Sequence, residues 1–399
     1  MEFQTFVSKL RKRATRIISR RVSFNTKYKP TGVCDLLSMS SDLVEYRELN
    51  PSYTSVLALE PEFIEKCSPS LKPVVSVKFP ADYFAVIRNG RVYSSNENNI
   101  AIISSNNQLI DQASFQWDGD KILPGKQNEV FNVKGFVPPR KYQGNVFSLL
   151  STGAAKHFYY HWVFELLPKL FLLQRSGYMD KVDYFLIPYY EFRYQREYLD
   201  YFRIPKEKLI NEEYHRHIQA ENLMICSYIR NEMHHPKWAC DFLYSSFRLP
   251  DRPRKRDNMI YIGRGDAARN RKVINEPELV AVLEGYGFQT CFLTQLSVSE
   301  QADLFNSARI VVGAHGAGLS NLVYCETGTK VLEIFPDNYV RHGFHDICNK
   351  RGLEYHYMLC KSDGEQQHHS TAQRLDLLVD IDEVKSKIEA FLATGPHRD

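Results

Sequence analysis

The fold of this chain is constrained most by the segment 308–336, which reads ARIVVGAHGAGLSNLVYCETGTKVLEIFP. It begins with a β-branched apolar run at 309–312, which is typical of a strand buried on both faces. The turn that follows, GAHGAG, contains three glycines, which let the backbone bend sharply and approach a ligand closely. A short helix over 319–325 and a second buried strand over 330–335 complete a strand–turn–helix–strand unit. Open α/β sheets bind ligands at the carboxyl ends of their strands, so this turn is a predicted ligand site.

The chemistry of this turn suits phosphate. A helix that starts after the turn offers free N–H groups and a positive dipole to an anion. His315 adds an imidazole that can donate a hydrogen bond to a phosphate oxygen, and its position among glycines is hard to explain by packing. The predicted anion contacts are Gly313, His315, Gly316, Ala317 and Gly318. The alternative is a tight packing turn that binds no ligand.

A group of arginines follows the predicted strand 259–262. Arg264, Arg269 and Arg271 lie close together in sequence, and such a cluster is costly unless an anion neutralises it. Guanidinium groups match phosphate through two parallel hydrogen bonds. The other interpretation is a solvated loop in which the arginines pair with Asp266. Because the cluster follows a strand in the same half as the Gly-rich turn, the sequence favours the anion site.

Glu333 places a carboxylate within the predicted buried strand VLEIFP, where a charged group needs a partner. A ribose hydroxyl is one candidate, as in other dinucleotide folds in which an acid binds the ribose. A structural salt bridge is the other candidate, and the sequence leaves both open.

A second polar pattern lies in the segment 156–175, which has helical periodicity and contains Pro168, a residue expected to kink or restart the helix. His157, His161 and Glu165 are spaced four residues apart and can share one helical face. They could bind a metal, form a general base with its orienting carboxylate, or lie exposed opposite an apolar face. Their spacing alone leaves these three interpretations open.

Three blocks of this sequence resemble the motifs of the family 61 glycosyltransferases. They are GAHGAGLSN with the TGTKVLEIFP that follows, GNVFSLLSTGAAKHFYYHWVFELLPKL at 144–170, and YIGRGDAARNRKVINE at 261–276. The resemblance covers roughly residues 80–358. It implies an α/β fold in which two Rossmann-like domains face a cleft (a GT-B-like architecture), with a β-rich segment before the first motif.

The resemblance also implies roles for the candidate residues. In the family, the block around His161 and Glu165 carries acceptor-side function without a metal, so one of these two is expected to be the catalytic base. The arginines and the Gly-rich turn are expected to bind the diphosphate of a nucleotide sugar, with UDP as the nucleotide, in place of a metal ion. The implied reaction is an inverting, metal-independent transfer of a sugar to a glycan hydroxyl in polysaccharide or glycan biosynthesis. The nucleotide sugar is then a co-substrate, and no cofactor is expected.

The chain divides into three predicted parts. Residues 1–21 are basic with amphipathic helical spacing, which suits either an anionic membrane surface or a solvated terminal helix. Residues 22–250 are the predicted acceptor-side α/β domain, which starts with β-type runs over 74–133 and includes an expected hairpin at Asn89–Gly90. A charged linker with two prolines leads to 257–399, the predicted nucleotide-sugar-binding α/β domain.

Composition argues against several classes of protein. The net charge of +4 comes from the segment 1–21 while the remainder is close to neutral, which disfavours a nucleic-acid binder. Eight scattered cysteines with no CxxC pair argue against a zinc site and suit a reduced cytosolic setting. No apolar run approaches the roughly 20 residues that span a bilayer, and no signal-peptide pattern is recognised. The expected location is cytoplasmic, with the segment 1–21 as a contact to the cytoplasmic membrane face.

Two alternatives to the transferase remain at this stage. A protein that keeps the fold could bind a nucleotide or a glycan without catalysis. A dinucleotide-dependent oxidoreductase could also use the Gly-rich turn, and Glu333 lies near the distance at which such folds place an acid. The position of the turn in the second half of the chain and the arginines ahead of it disfavour the oxidoreductase.

Overall fold

The chain folds into a mixed α/β structure with two principal β-sheets. This computed structural model describes residues 26–67, 72–96, 98–118, 121–151, 158–188, 190–231, 233–247, 257–265, 271–363 and 375–393. The predicted basic segment 1–21 and most of the linker after residue 250 lie outside these described residues. The candidate residues His157 and Arg269 lie outside them as well.

The first half of the described chain, residues 26–247, supplies thirteen strands and five α-helices. The strands are β1 (Gly32–Cys34), β2 (Val44–Asn50), β3 (Tyr53–Val56), β4 (Ser76–Phe79), β5 (Asp82–Arg88), β6 (Arg91–Tyr93), β7 (Asn99–Ile103), β8 (Gln108–Ile110), β9 (Phe115–Gln116), β10 (Arg140–Ser148), β11 (Tyr184–Ile187), β12 (Leu209–Asn211) and β13 (His217–Cys226). The helices are α1 (Pro61–Lys66), α2 (Tyr159–His161), α3 (Pro168–Ser176), α4 (Arg193–Tyr201) and α5 (Lys237–Phe247).

The second half, residues 257–393, repeats the alternation of strand and helix. Its strands are β14 (Asn258–Ile262), β15 (Gln289–Cys291), β16 (Ala308–Ala314), β17 (Lys330–Pro336), β18 (Glu354–Ser362) and β19 (Leu377–Leu378). Its helices are α6 (Glu276–Gly285), α7 (Val298–Asn306), a 3-10 helix (Ala317–Tyr324), α8 (Gly343–Arg351) and α9 (Ile381–Ala393). None of the helices in the described ranges is long and apolar enough to cross a bilayer.

The first sheet contains eleven of the described strands and is mixed. Its main path runs β1-β8-β7-β6-β13-β10-β11-β12, with β2 beside β5, β5 beside β13, and β9 beside β7. The strands β13, β10, β11 and β12 are parallel to one another, whereas β5 and β6 are antiparallel to β13. A separate antiparallel pair is formed by β3 and β4.

The prediction of a β-hairpin at Asn89–Gly90 is wrong. The strands β5 and β6 flank this dipeptide, but both pair with β13, through Ile87 opposite Leu223 and Arg91 opposite Gln219. Gly90 fits this arrangement because a Cβ there would lie 2.9 Å from the Cβ of Leu223. The dipeptide is therefore an irregularity between two segments that follow the same neighbouring strand, and glycine is required by the close approach of that strand.

The second sheet contains six of the described strands in the order β15-β14-β16-β17-β18-β19, and all neighbours are parallel except β18 and β19. The predicted strand–turn–helix–strand unit is confirmed as β16, the turn, the 3-10 helix and β17. The chain starts at β14, moves outward to β15, and returns to place β16 on the other side of β14. Parallel sheets open a crevice at such a change of direction, so the carboxyl ends of β14 and β16 mark a natural ligand site.

One hydrophobic cluster extends through both halves of the chain. It contains Phe147 and Trp162 from the first half together with Ile262, Leu322 and Phe344 from the second. The carboxyl edge of the second sheet therefore lies against the segment that contains α2 and α3.

Candidate active site

The change of strand direction between β14 and β16 brings Arg264 and His315 together. The Arg264 backbone N–H donates to Glu276 Oε1 over 2.6 Å, and its Nε donates to the Arg271 carbonyl over 3.1 Å. Gly316 lies against this guanidinium, because a Cβ at residue 316 would overlap Arg264 Nη1. The glycine therefore permits the close approach of an arginine to the turn.

The other two glycines of the turn meet apolar neighbours. A Cβ at Gly313 would lie 3.1 Å from Leu319 Cδ2, and a Cβ at Gly318 would lie 2.9 Å from Leu293 Cδ1. Ala317 begins the 3-10 helix. Of the three glycines, Gly316 is thus the one that faces the arginines, and the other two satisfy packing.

His315 is held between aromatic rings and a carboxylate. Its ring stacks on Phe335, with centroids 4.8 Å apart, and also contacts Phe344 at 5.2 Å. Its Nδ1 lies 2.5 Å from Glu333 Oε1, while Glu333 Oε2 accepts a hydrogen bond from the Tyr355 hydroxyl over 2.6 Å. Glu333 is 0% exposed. Both of its oxygens are engaged inside the protein, one with His315 and the other with Tyr355.

The electrostatics of this pair follow from burial. Burial raises the pKa of Glu333 to about 8, although the Tyr355 hydrogen bond and Arg271 oppose the rise. Burial also lowers the pKa of His315 well below its usual value, and the positive charges of Arg271, Arg341 and Arg264 lower it further. At neutral pH the pair therefore shares one proton and is uncharged overall.

Three guanidinium groups, those of Arg264, Arg271 and Arg341, lie near His315. Arg271 and Arg341 both lie over the ring of Tyr339, each with its Cζ 5.7 Å from the centroid. Burial, followed by repulsion from Arg264, lowers the pKa of Arg271 to about 10. Among the described residues, Arg271 and Arg341 form no ion pair, and the buried Nε of Arg271 has no hydrogen-bond partner. Guanidinium groups held together in this way have the charge and the hydrogen-bond donors that suit an external anion.

His161, Glu165 and Arg230 form a second polar group. His161 Nδ1 lies 2.7 Å from Glu165 Oε1, and the same oxygen accepts hydrogen bonds from Arg230 Nε at 3.0 Å and Nη2 at 2.8 Å. The Glu165 side chain is 2% exposed, whereas that of His161 is 24% exposed. His161 Nε2 has no hydrogen-bond partner in the described part of the chain. The arrangement suits a base that is oriented by a buried carboxylate.

The backbone at this site departs from a regular helix. After α2, the residues Trp162–Leu166 form a π-helical turn, in which the Leu167 N–H donates to the Trp162 carbonyl over 3.1 Å. The new helix α3 starts at Pro168, so the expected restart of the helix at this proline is confirmed. Single π-turns within helices are frequently found at functional sites.

Phe344 joins the two polar groups. Its ring lies 5.2 Å from that of His315 and 6.0 Å from that of Tyr160, the neighbour of His161 in sequence. Arg230 approaches the same Tyr160 ring, with its Cζ 5.7 Å from the centroid. The predicted anion site and the predicted base therefore lie at the same junction between the halves, separated by two aromatic rings.

Sequence reasoning missed Arg230, Arg341 and Tyr339. Arg341 had a visible signal, because it lies shortly after the carboxyl end of β17 and so at the ligand-binding edge of the sheet. Arg230 had none, since it follows β13 in a different block of sequence from Glu165.

Asp346, which lies in α8 shortly after Arg341, makes structural contacts. Asp346 Oδ2 accepts from the His235 backbone N–H at 2.7 Å and lies 2.8 Å from His235 Nδ1, while Lys350 is 3.4 Å from Oδ1. His345 stacks on Tyr355. In the described ranges, no group of three or more His, Cys, Asp or Glu residues has a geometry that could hold a metal ion.

Comparison with known proteins gives matches to part of this chain. Residues 159–332 match the family model described as Glycosyltransferase 61. A beta-1,2-xylosyltransferase of Oryza sativa subsp. japonica is 37% identical over 93 residues, which cover 21% of this chain and 17% of that protein. The beta-1,2-xylosyltransferase of Arabidopsis thaliana is 30% identical over 118 residues, covering 26% of this chain and 22% of that protein.

A third relative comes from an animal. The EGF domain-specific O-linked N-acetylglucosamine transferase of Drosophila melanogaster is 27% identical over 123 residues, which cover 29% of this chain and 22% of that protein. The aligned part thus spans about a fifth of the length of each curated relative. Residues 159–332 of this chain thus match glycosyltransferase family 61, and the three relatives support the same family.

Proposed function

We propose that this protein transfers a sugar from a nucleoside diphosphate donor, UDP in the first instance, to a hydroxyl group of a glycan. The observation that carries the proposal is the junction at Phe344. There, Arg271 and Arg341, which form no ion pair among the described residues, lie two aromatic rings away from a histidine oriented by a buried carboxylate. A leaving diphosphate needs positively charged groups such as these arginines, and an attacking hydroxyl needs a base such as this histidine.

On the donor side, the diphosphate binds Arg264, Arg271 and Arg341 with the N–H groups that start the 3-10 helix. His315 adds a ring nitrogen beside the arginines, and Glu333 orients that ring from within the protein. These groups stabilise the negative charge that develops as the sugar–phosphate bond breaks, and no metal ion is needed for that task.

On the acceptor side, His161 is the base and Glu165 is its orienting partner. The assignment is supported by exposure, since the histidine is partly accessible while Glu165 is buried and already accepts from Arg230. His161 Nε2 takes the proton of the acceptor hydroxyl as the oxygen attacks the anomeric carbon. The diphosphate departs from the opposite side, so a single displacement inverts the configuration at that carbon.

Three further proposals concern the surroundings of this site. The two sheets with helices suit a GT-B-like pair of domains around a cleft, with the acceptor side formed mainly by 22–250 and the donor side by 257–399.

Xylose and N-acetylglucosamine are the first donor sugars to test, because the relatives are named for the transfer of these sugars. A cytoplasmic location is supported by the cysteines, since all eight lie among the described residues and none forms a disulfide.

The decisive experiment separates donor binding from catalysis. UDP affinity is measured by calorimetry and transfer is measured with UDP-xylose and UDP-N-acetylglucosamine on a glycan panel. We expect His161→Ala to lower transfer by about a hundredfold or more while UDP affinity stays within a few-fold. Glu165→Gln should cause a smaller loss, and EDTA should have little effect. UDP binding without transfer to any acceptor would instead support a non-catalytic binding protein, and stabilisation by NAD but by no sugar nucleotide would overturn the proposal.

A membrane contact through the basic segment 1–21 is proposed on charge alone. Deleting these residues should release the protein from anionic vesicles and leave its melting temperature nearly unchanged. If the full chain shows no salt-sensitive binding to such vesicles, the membrane contact is excluded.

A further inference from the structure

A buried amide connects the Gly-rich turn to the helix that carries His161. Asn321 is 0% exposed, and its Nδ2 donates to the Gly318 carbonyl over 3.2 Å and to Gln301 Oε1 over 2.9 Å. Its Oδ1 accepts a hydrogen bond from the Tyr159 hydroxyl over 2.7 Å. Gly318 ends the Gly-rich turn, and Tyr159 is the first residue of α2, two positions before His161. The Asn321 side chain thus forms hydrogen bonds with both the Gly-rich turn and the segment that carries His161.

The orientation of this amide is fixed by its neighbours. Gln301 Nε2 donates to the carbonyls of Leu293 at 3.0 Å and Leu296 at 3.2 Å, so Gln301 must present its oxygen to Asn321. Asn321 must therefore direct its NH₂ group toward Gln301 and its oxygen toward Tyr159. An amide satisfied on every side within the protein is costly to rotate, because rotation would leave buried groups unpaired.

The direction of each hydrogen bond can also be assigned along a row of three tyrosines that ends at Asn321. The Tyr159 proton is committed to Asn321, so Tyr159 accepts from the Tyr198 hydroxyl at 2.8 Å, and Tyr198 in turn accepts from the Tyr324 hydroxyl at 2.8 Å. Burial raises the pKa of all three hydroxyls, which keeps them protonated as donors. The row runs in one direction, from Tyr324 to Asn321, which belong to the same 3-10 helix, and its last bond is the direct contact between that helix and α2.

We propose that Asn321 and Tyr159 are positioning residues that hold His161 at a fixed distance from the donor diphosphate. The proposal rests on the function proposed above. A hydrogen bond at the start of α2 fixes the position of the turn that carries His161. A shift of the base by about 1 Å can lower the rate about a hundredfold. The arginines of the donor site are held by other contacts, so their positions do not depend on this bond.

The test compares Tyr159→Phe with Tyr324→Phe in the full chain. Each change removes one hydroxyl from the same buried row, so similar losses of melting temperature are expected. Tyr159→Phe breaks the bond between the motifs and should lower kcat at least about tenfold, with the KM for the donor and the UDP affinity within about twofold. Tyr324→Phe removes the far end of the row and should leave kcat within about twofold of the wild type.

Two results would overturn the positioning role. Equal losses of kcat in the two variants would mean that the row acts only through stability, and weakened UDP binding in Tyr159→Phe would mean that the bond serves the donor site. His161→Ala, measured in parallel, separates this from the proposed function. If His161→Ala lacks activity and Tyr159→Phe is fully active, the positioning role alone fails, whereas full activity of His161→Ala overturns both.

Discussion

The buried carboxyl of Glu333 makes the stability of this protein depend on pH in a defined direction. Burial raises its pKa from an ordinary value of 4.5 to about 8. The folded protein thus binds this proton more tightly than the unfolded chain, so the contribution to stability is complete below pH 4.5 and is lost as the pH rises through 8. Between pH 6 and pH 8 the loss amounts to about 2 kcal/mol for a single group with these two values.

Glu333→Gln removes this dependence while preserving the contacts. The amide oxygen can accept from the Tyr355 hydroxyl, and the NH₂ group can donate to His315 Nδ1, which lies 2.5 Å from the present Oε1. The free energy of unfolding of the variant should therefore decline less between pH 6 and pH 8, by about 2 kcal/mol relative to the wild type. Urea unfolding at pH 6, 7 and 8 measures the difference.

A matched control is Tyr355→Phe, which removes one hydrogen bond but leaves the carboxyl free to titrate. Because that hydrogen bond lowers the pKa of Glu333, its loss should keep the decline in stability and extend it to higher pH. If Glu333→Gln and the wild type lose stability in parallel over this range, the carboxyl is already ionised at pH 6 and the reasoning about burial is refuted.

Three further predictions concern the site. Arg230→Met should lower kcat about tenfold or more, because the buried Glu165 loses its counter-charge and orients the base less firmly, while calorimetry should find UDP affinity unchanged. Arg271→Ala should weaken UDP binding by about 1 kcal/mol or more, the scale of a charge-assisted hydrogen bond, and leave the affinity for uridine, which lacks phosphates, as it was; equal losses for both ligands would contradict a phosphate contact. Gly316→Ala should raise the Kd for UDP by displacing the guanidinium beside it, and Gly285→Ala, where nothing lies within 4 Å of the added Cβ, serves as the unaffected control.

Local patterns predicted those parts of the fold and site that depend on nearby residues. The strands β16 and β17 followed from β-branched apolar runs, and the start of α3 followed from Pro168. The contact of His161 with Glu165 followed from their spacing, since four residues along a helix bring side chains together even though the turn here is a π-turn. In each case the signal lies within a few residues of the feature that it predicts.

Features set by distant pairing could not be predicted in this way. Asn89–Gly90 has the chemistry of a hairpin turn, but the flanking strands pair with β13, which the chain reaches more than a hundred residues later. Arg230 meets Glu165 from the loop after that same strand. Turn propensity depends only on the dipeptide itself. Whether the dipeptide forms a hairpin turn also depends on which strand the flanking segments pair with.

Glu333 shows how the alternation of side chains along a strand adds information that motif spacing does not contain. Its distance from the Gly-rich turn suits a ribose-binding acid, but side chains alternate along β17, and Leu332 and Ile334 belong to the hydrophobic cluster on one face of the sheet. Glu333 therefore shares the opposite face with Phe335, the ring on which His315 stacks. With Tyr355 of the next strand engaging its second oxygen, the carboxylate is buried behind the histidine. For the proposed diphosphate site, we therefore expect Glu333 to act through the orientation of His315 rather than through a contact with a ribose.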